Sequence, residues 1–147
     1  MKKSNFFSSY SKTNDTPKII GIWDFSIAPF KYGNFLTFNQ NLFLLKNYLK
    51  TKKVELVILC NPNEKFINKR INKDNYKEYL NRVKESFLLF ETIDNIVNVY
   101  SKKELDDYIN KKENKKATLF PPNYIDHTFK YDYKSYLMNK EFQDLGF

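Results

Sequence analysis

The pattern of apolar and polar positions divides the chain into alternating short apolar runs and longer amphipathic stretches. Residues 18–26 (KIIGIWDFS) are almost continuously apolar, with β-branched and aromatic side chains. Such a run predicts a strand buried on both faces, as in a parallel sheet. Gly21 within it predicts the close approach of a neighbouring backbone. A loop from Ile27 to Gly33 follows, and Asn34 then offers a helix N-cap. Phe35, Phe38, Leu42, Leu45 and Leu49 recur at helical spacing, with Leu36, Phe43 and Tyr48 widening the stripe. Lys50 to Lys53 places positive charge where the helix dipole favours it. Val54 to Cys60 is a second strand, closed by the polar loop Asn61-Pro62-Asn63-Glu64. Residues 65–73 are lysine- and asparagine-rich and read as loop.

The second half repeats the alternation. Asn75 and Glu78 have capping-box spacing at the head of a helix over 75–91. Its apolar stripe is Tyr76, Tyr79, Leu80, Val83, Phe87 and Phe90. Residues 96–100 predict a third strand, and Ser101 with Glu104 caps a third helix that buries Leu105, Tyr108 and Ile109. Residues 117–120 predict a fourth strand, stopped by Pro121-Pro122, and a last helix is expected over about 133–144. Residues 1–17 are polar and read as a flexible leader, leaving 18–147 as a single domain. The β-α-β-α-β-α-β-α order predicts an α/β, Rossmann-like three-layer sandwich with a mostly parallel sheet of about four strands.

Composition narrows the chemistry. The formal net charge is +8, which invites a polyanion partner. Yet of the 25 basic residues only Arg70 and Arg82 are arginine, and the lysines are interspersed with Asp and Glu. Lysine lacks the guanidinium fork of bidentate phosphate and base recognition, so a solvated surface is the expectation and nucleic acid is not the expected partner. Cys60 and His127 are each the sole residue of their type, which leaves no disulfide or thiolate zinc site within the chain and argues against a Ser-His-Asp triad, although His127 alone could still serve as a catalytic base. Neither G-x-G-x-x-G nor G-x-x-x-x-G-K-[ST] occurs. No metal and no cofactor is expected. No apolar run approaches a membrane span, and the first residues lack a secretory core, so a cytoplasmic protein is expected.

In a parallel sheet, ligands bind beyond the carboxyl ends of the strands. That rule selects the loops Ser26–Asn34, Asn61–Glu64, Tyr100–Ser101 and Pro121–Tyr124. The first leads into a helix N-terminus and carries Lys31, a setting for an anion, although Pro29 and Tyr32 could simply pack over the sheet edge. Asp24 could act as a base, bind a sugar hydroxyl or cap the following turn. Cys60 in its apolar run reads as an inert buried thiol. Ser101 reads first as an N-cap, and His127 as a surface histidine placed for ligand contact if the topology holds.

Several segments together resemble the N-terminal half of bacterial two-domain glycosyltransferases of the GT-B-like type found with surface-polysaccharide genes. They are W-D-F-S, P-F-K-Y-G-N-F-L-T-F, V-E-L-V-I-L-C-N-P, N-R-V-K, V-Y-S-K-K-E-L and L-F-P-P-N-Y, spread over residues 18–126. The resemblance implies transfer from a nucleotide-sugar without an obligatory metal, with this half shaping the acceptor side. It implies a second α/β domain or subunit that holds the donor, and a first half that is catalytically idle without it. It would turn Asp24, Ser26, Pro29, Tyr32, Gly33 and Asn34 toward the interdomain cleft, with Asn61, Ser101, Pro122 and Tyr124 beside them. Two other readings stand next to it. One is a non-enzymatic polyanion or nucleic-acid binding module, which needs its lysines on one face. The other is a single-domain enzyme acting on a phosphorylated small molecule, which needs converging polar groups in a pocket.

Overall fold

In a computed structural model of the chain, residues 18–26, 32–66 and 69–121 are described. The expected leader (1–17) and last helix (133–144) lie outside these residues, as do Pro29, Lys31, Pro122, Tyr124 and His127. The described elements are β1 (Ile19–Asp24), α1 (Tyr32–Leu49), β2 (Val54–Leu59), α2 (Tyr76–Leu88), β3 (Asn95–Val99), α3 (Lys102–Ile109) and β4 (Thr118–Phe120). A short 3-10 turn, Lys112–Asn114, precedes β4.

The four strands form one sheet in the order β3-β2-β1-β4, with every pairing parallel. The chain steps outward from β1 through β2 to β3, then returns to the other side of β1. Crossovers of one hand that step in opposite directions put their helices on opposite faces, and the side chains follow this rule. Register sets Gly21, Trp23, Leu56, Ile58 and Phe120 on one face. On that face Trp23 meets Phe38 of α1 edge-on at 5.0 Å and Phe87 of α2 at 5.2 Å, and Phe38 lies 5.4 Å from Phe120. Such aromatic pairs contribute about 0.5–1.5 kcal/mol each beyond their burial. Glu55, Val57 and Leu59 share the other face, where the Tyr108 hydroxyl of α3 donates to Glu55. The result is a three-layer α/β sandwich of Rossmann-like type.

Both central strands, β1 and β2, are buried along their whole length, as their nearly continuous apolar runs lead one to expect, and the burial takes in Asp24 and Glu55 as well. At Gly21 the neighbour that approaches is a side chain rather than a backbone: an added Cβ would lie 3.1 Å from both Leu42 methyls. The glycine thus lets α1 sit close over β1.

Local details depart from expectation in instructive ways. Helix α1 begins at Tyr32, so Gly33 and Asn34 fall in its first turn and Asn34 is not its N-cap. Leu36 and Phe43 are 51% and 42% exposed, whereas Asn39 and Asn41 are buried. The buried arc is centred on Phe38, Leu42 and Leu45, and Leu36 and Phe43 sit just past its edge. The helix ends in a Schellman arrangement, with Lys50 N–H bonded to the Asn47 carbonyl and Thr51 N–H to that of Lys46. Lys50 occupies the left-handed position (φ 54°) that glycine usually fills.

Helix α2 spans 76–88 rather than 75–91, and Asn75 forms no capping box. Its side chain turns back, accepting from Asn72 N–H at 2.8 Å and donating to the Arg70 carbonyl at 2.8 Å. The Asn72 side chain accepts from the N–H groups of Asp74 and Asn75, and Glu78 pairs with Arg82 at 2.6 Å instead. Ser101 does cap α3, accepting from Glu104 N–H at 3.1 Å, while Glu104 reaches back to Tyr100 N–H at 2.7 Å.

Candidate functional site

The parallel sheet brings the ends of β1, β2 and β3 to a common edge. Asp24 pairs with Leu59 and Leu59 with Val99. The ladder runs one step further, through Phe25 N–H to the Leu59 carbonyl and Cys60 N–H to the Val99 carbonyl, both at 2.9 Å. The order reverses between β1 and β4, so the loop after β1 borders the switch point, where open α/β sheets bind ligands.

Asp24 ends β1 and is 5% exposed. Its Oδ1 accepts from Ser26 N–H at 2.9 Å and from Ser26 Oγ at 2.6 Å. This is the turn-forming geometry that short acidic side chains favour. Asp24 therefore caps the turn after β1, one of the roles its position allows. Ser26, 2% exposed, also reaches across 38 residues of sequence to Glu64, with Oγ 3.2 Å from Oε2. The hydroxyl has one proton, and Asp24 is the nearer acceptor. Glu64, exposed in the loop after β2, keeps acceptor capacity for other donors.

That loop is fixed at both ends. Asn61 Oδ1 accepts from Asn63 N–H at 3.0 Å, and the Asn61 carbonyl accepts from Glu64 N–H at 3.2 Å. Phe66 packs edge-on against Phe25 at 5.6 Å and stacks on Tyr76 at 6.4 Å. Beyond Glu64 opens a groove of about 310 Å³, with Pro62, Phe66 and Ile71 beneath and Glu64, Lys65, Lys69, Asn72 and Lys73 around it. The three lysines are exposed.

Cys60 is wholly buried behind this edge. Burial, with the Asp24 carboxylate as a smaller contribution, pushes its thiol up to about 12, so it is not a nucleophile near neutral pH. Among the described residues no three of His, Cys, Asp and Glu converge to hold a metal ion, and no helix is long and apolar enough to cross a membrane.

Of the residues singled out from sequence, Asp24, Ser26 and Asn61 meet at one edge. Ser101 stands at the neighbouring β3–α3 junction, engaged as a cap. Tyr32, Gly33 and Asn34 form the first turn of α1. Glu64 and the lysines at 65, 69 and 73 were not singled out. Their four-residue spacing is visible in the sequence, but only the folded loop sets them around one hollow.

Comparison of the chain with protein families, curated proteins and solved structures finds no match.

Proposed function

We propose that the chain is the acceptor-side, Rossmann-like half of a nucleotide-sugar-dependent glycosyltransferase, working with a second α/β domain or subunit that holds the donor. The observation that carries the reading is the Asp24–Ser26–Glu64 relay beside the groove. A carboxylate with unspent acceptor capacity suits a ligand rich in hydroxyl donors, and the apolar floor suits the C–H face of a sugar ring. Asp24 and Ser26 act as positioning residues, and Glu64 makes the contact. Held alone, the acceptor half lacks the proximity of donor and acceptor from which transfer draws its rate.

The test is ligand-observed NMR on the 147-residue protein with hexoses, N-acetylhexosamines and nucleotide-sugars. Saturation transfer to a monosaccharide ring is expected, with loss in Glu64→Ala. Equal transfer in the variant, or none in the parent, would remove the reading.

A further inference from the structure

Glu64 belongs to two settings at once: it faces Ser26 on one side and lines the groove on the other. We infer that the groove is the anion-holding half of the same site, and that its ligand is a phosphorylated sugar. The inference rests on the acceptor-side reading for the sugar end; the phosphate end is independent of it.

The charge count around the hollow points to phosphate. Lys65, Lys69 and Lys73 set three ammonium groups against the single carboxylate of Glu64, leaving two positive charges. A phosphate monoester near neutral pH carries about −1.5 to −2, which matches that surplus; a neutral sugar leaves it unanswered. Lysine suits the task as a mobile point charge, without the geometric demands of a guanidinium fork. The volume, about 310 Å³, stands at the lower end of small-molecule sites, which begin near about 300 Å³. It fits a monosaccharide-sized ligand. Phe66 is buried against Phe25 and Tyr76, so it supplies a floor rather than a free ring for stacking a nucleobase. The carboxylate and the ammonium groups thus divide one ligand between them, hydroxyls toward Glu64 and phosphate toward the lysines.

The test titrates the full chain at low salt with glucose, glucose 1-phosphate, glucose 6-phosphate and inorganic phosphate, following amide shifts by NMR. The same series is run on Lys69→Gln/Lys73→Gln, both exposed positions, with circular dichroism to check that the fold is kept. One of the sugar phosphates should bind about tenfold more tightly than glucose, from two partly screened charge contacts. The double variant should bring it down to the glucose value while leaving glucose itself unchanged. Equal binding of glucose and both sugar phosphates, or a double variant that keeps the preference, overturns the phosphate site and leaves the sugar reading standing. Inorganic phosphate binding as well as the sugar phosphates, with no binding of glucose, overturns both the inference and the sugar reading. No binding of any probe does the same.

Discussion

Two glutamates at opposite edges of the sheet differ in how fully the fold has used their carboxylates. Glu55 stands near the amino edge, 3% exposed, and three donors converge on it. Tyr108 and Asn95 bond its two oxygens, and Lys18 lies 3.7 Å away. Glu64 stands at the carboxyl edge in water, and its partner Ser26 has a nearer acceptor in Asp24. A buried carboxylate surrounded by donors has nothing left to offer a ligand. An exposed one with a part-time donor does. The same residue type is a fastener at one edge and, in the function proposed, a receptor at the other, and the difference lies in burial and in the number of protons aimed at it.

The largest effect follows from removing the buried carboxylate. Glu55→Ala strands a buried ammonium and leaves the Tyr108 hydroxyl and Asn95 amide without their acceptor, so it should cost about 3–5 kcal/mol. Glu64→Ala should stay within about 0.5 kcal/mol, as surface changes do. Denaturant titration of both variants measures the contrast, and equal costs would erase it.

The next effect tests whether the relay is built into the fold. Ser26→Ala removes a hydroxyl donor from buried Asp24, while the backbone donor of residue 26 remains. A hydrogen bond to a charged group contributes about 1.5–3 kcal/mol, and a loss near the lower figure is expected in the same titration. Because Ser26 also steadies Glu64, sugar binding should weaken together with stability. If binding falls while stability does not, Ser26 is a ligand contact rather than a positioning residue.

How far this division could be foreseen depends on the range of the interactions involved. The strands were legible because burial on both faces writes a nearly continuous apolar run, as in 19–24 and 54–59, broken only by Asp24 and Glu55. The cap at Ser101 was legible because it is closed within four residues. Asn75 shows the limit of that logic, since its side chain had a second local option in the turn before the helix and took it. The strand order was not legible, because periodicity specifies an element's type and not its neighbour. For the same reason the Ser26–Glu64 contact could not be read, nor the Glu55–Tyr108 bond across 53 residues. Both pairs of residues stood in plain view, one in loops and one on a strand and a helix, and only the parallel register brings them together.

Cys60 gives the smallest effect, silent at neutral pH, and it probes how closed the carboxyl edge is behind the relay. Its thiol is raised from an ordinary 9.0 to about 12 in the folded chain, by burial first and the Asp24 carboxylate second. A group whose folded pKa lies above its unfolded value contributes its full stability below the unfolded pKa. Above pH 9 the unfolded chain begins to lose the thiol proton while the folded chain keeps it, so the unfolded state gains and stability declines toward pH 12. Other side chains titrate in that range, so the difference between the parent and Cys60→Ala is the quantity to measure. That difference should be constant up to about pH 8 and then move in favour of Cys60→Ala by pH 11. Asp24→Asn should reduce the change only in part, because burial is the larger cause. A difference that stays flat from pH 8 to 11 would mean that water reaches the thiol, and that the edge beneath Asp24 and Ser26 is as open as the groove beside it.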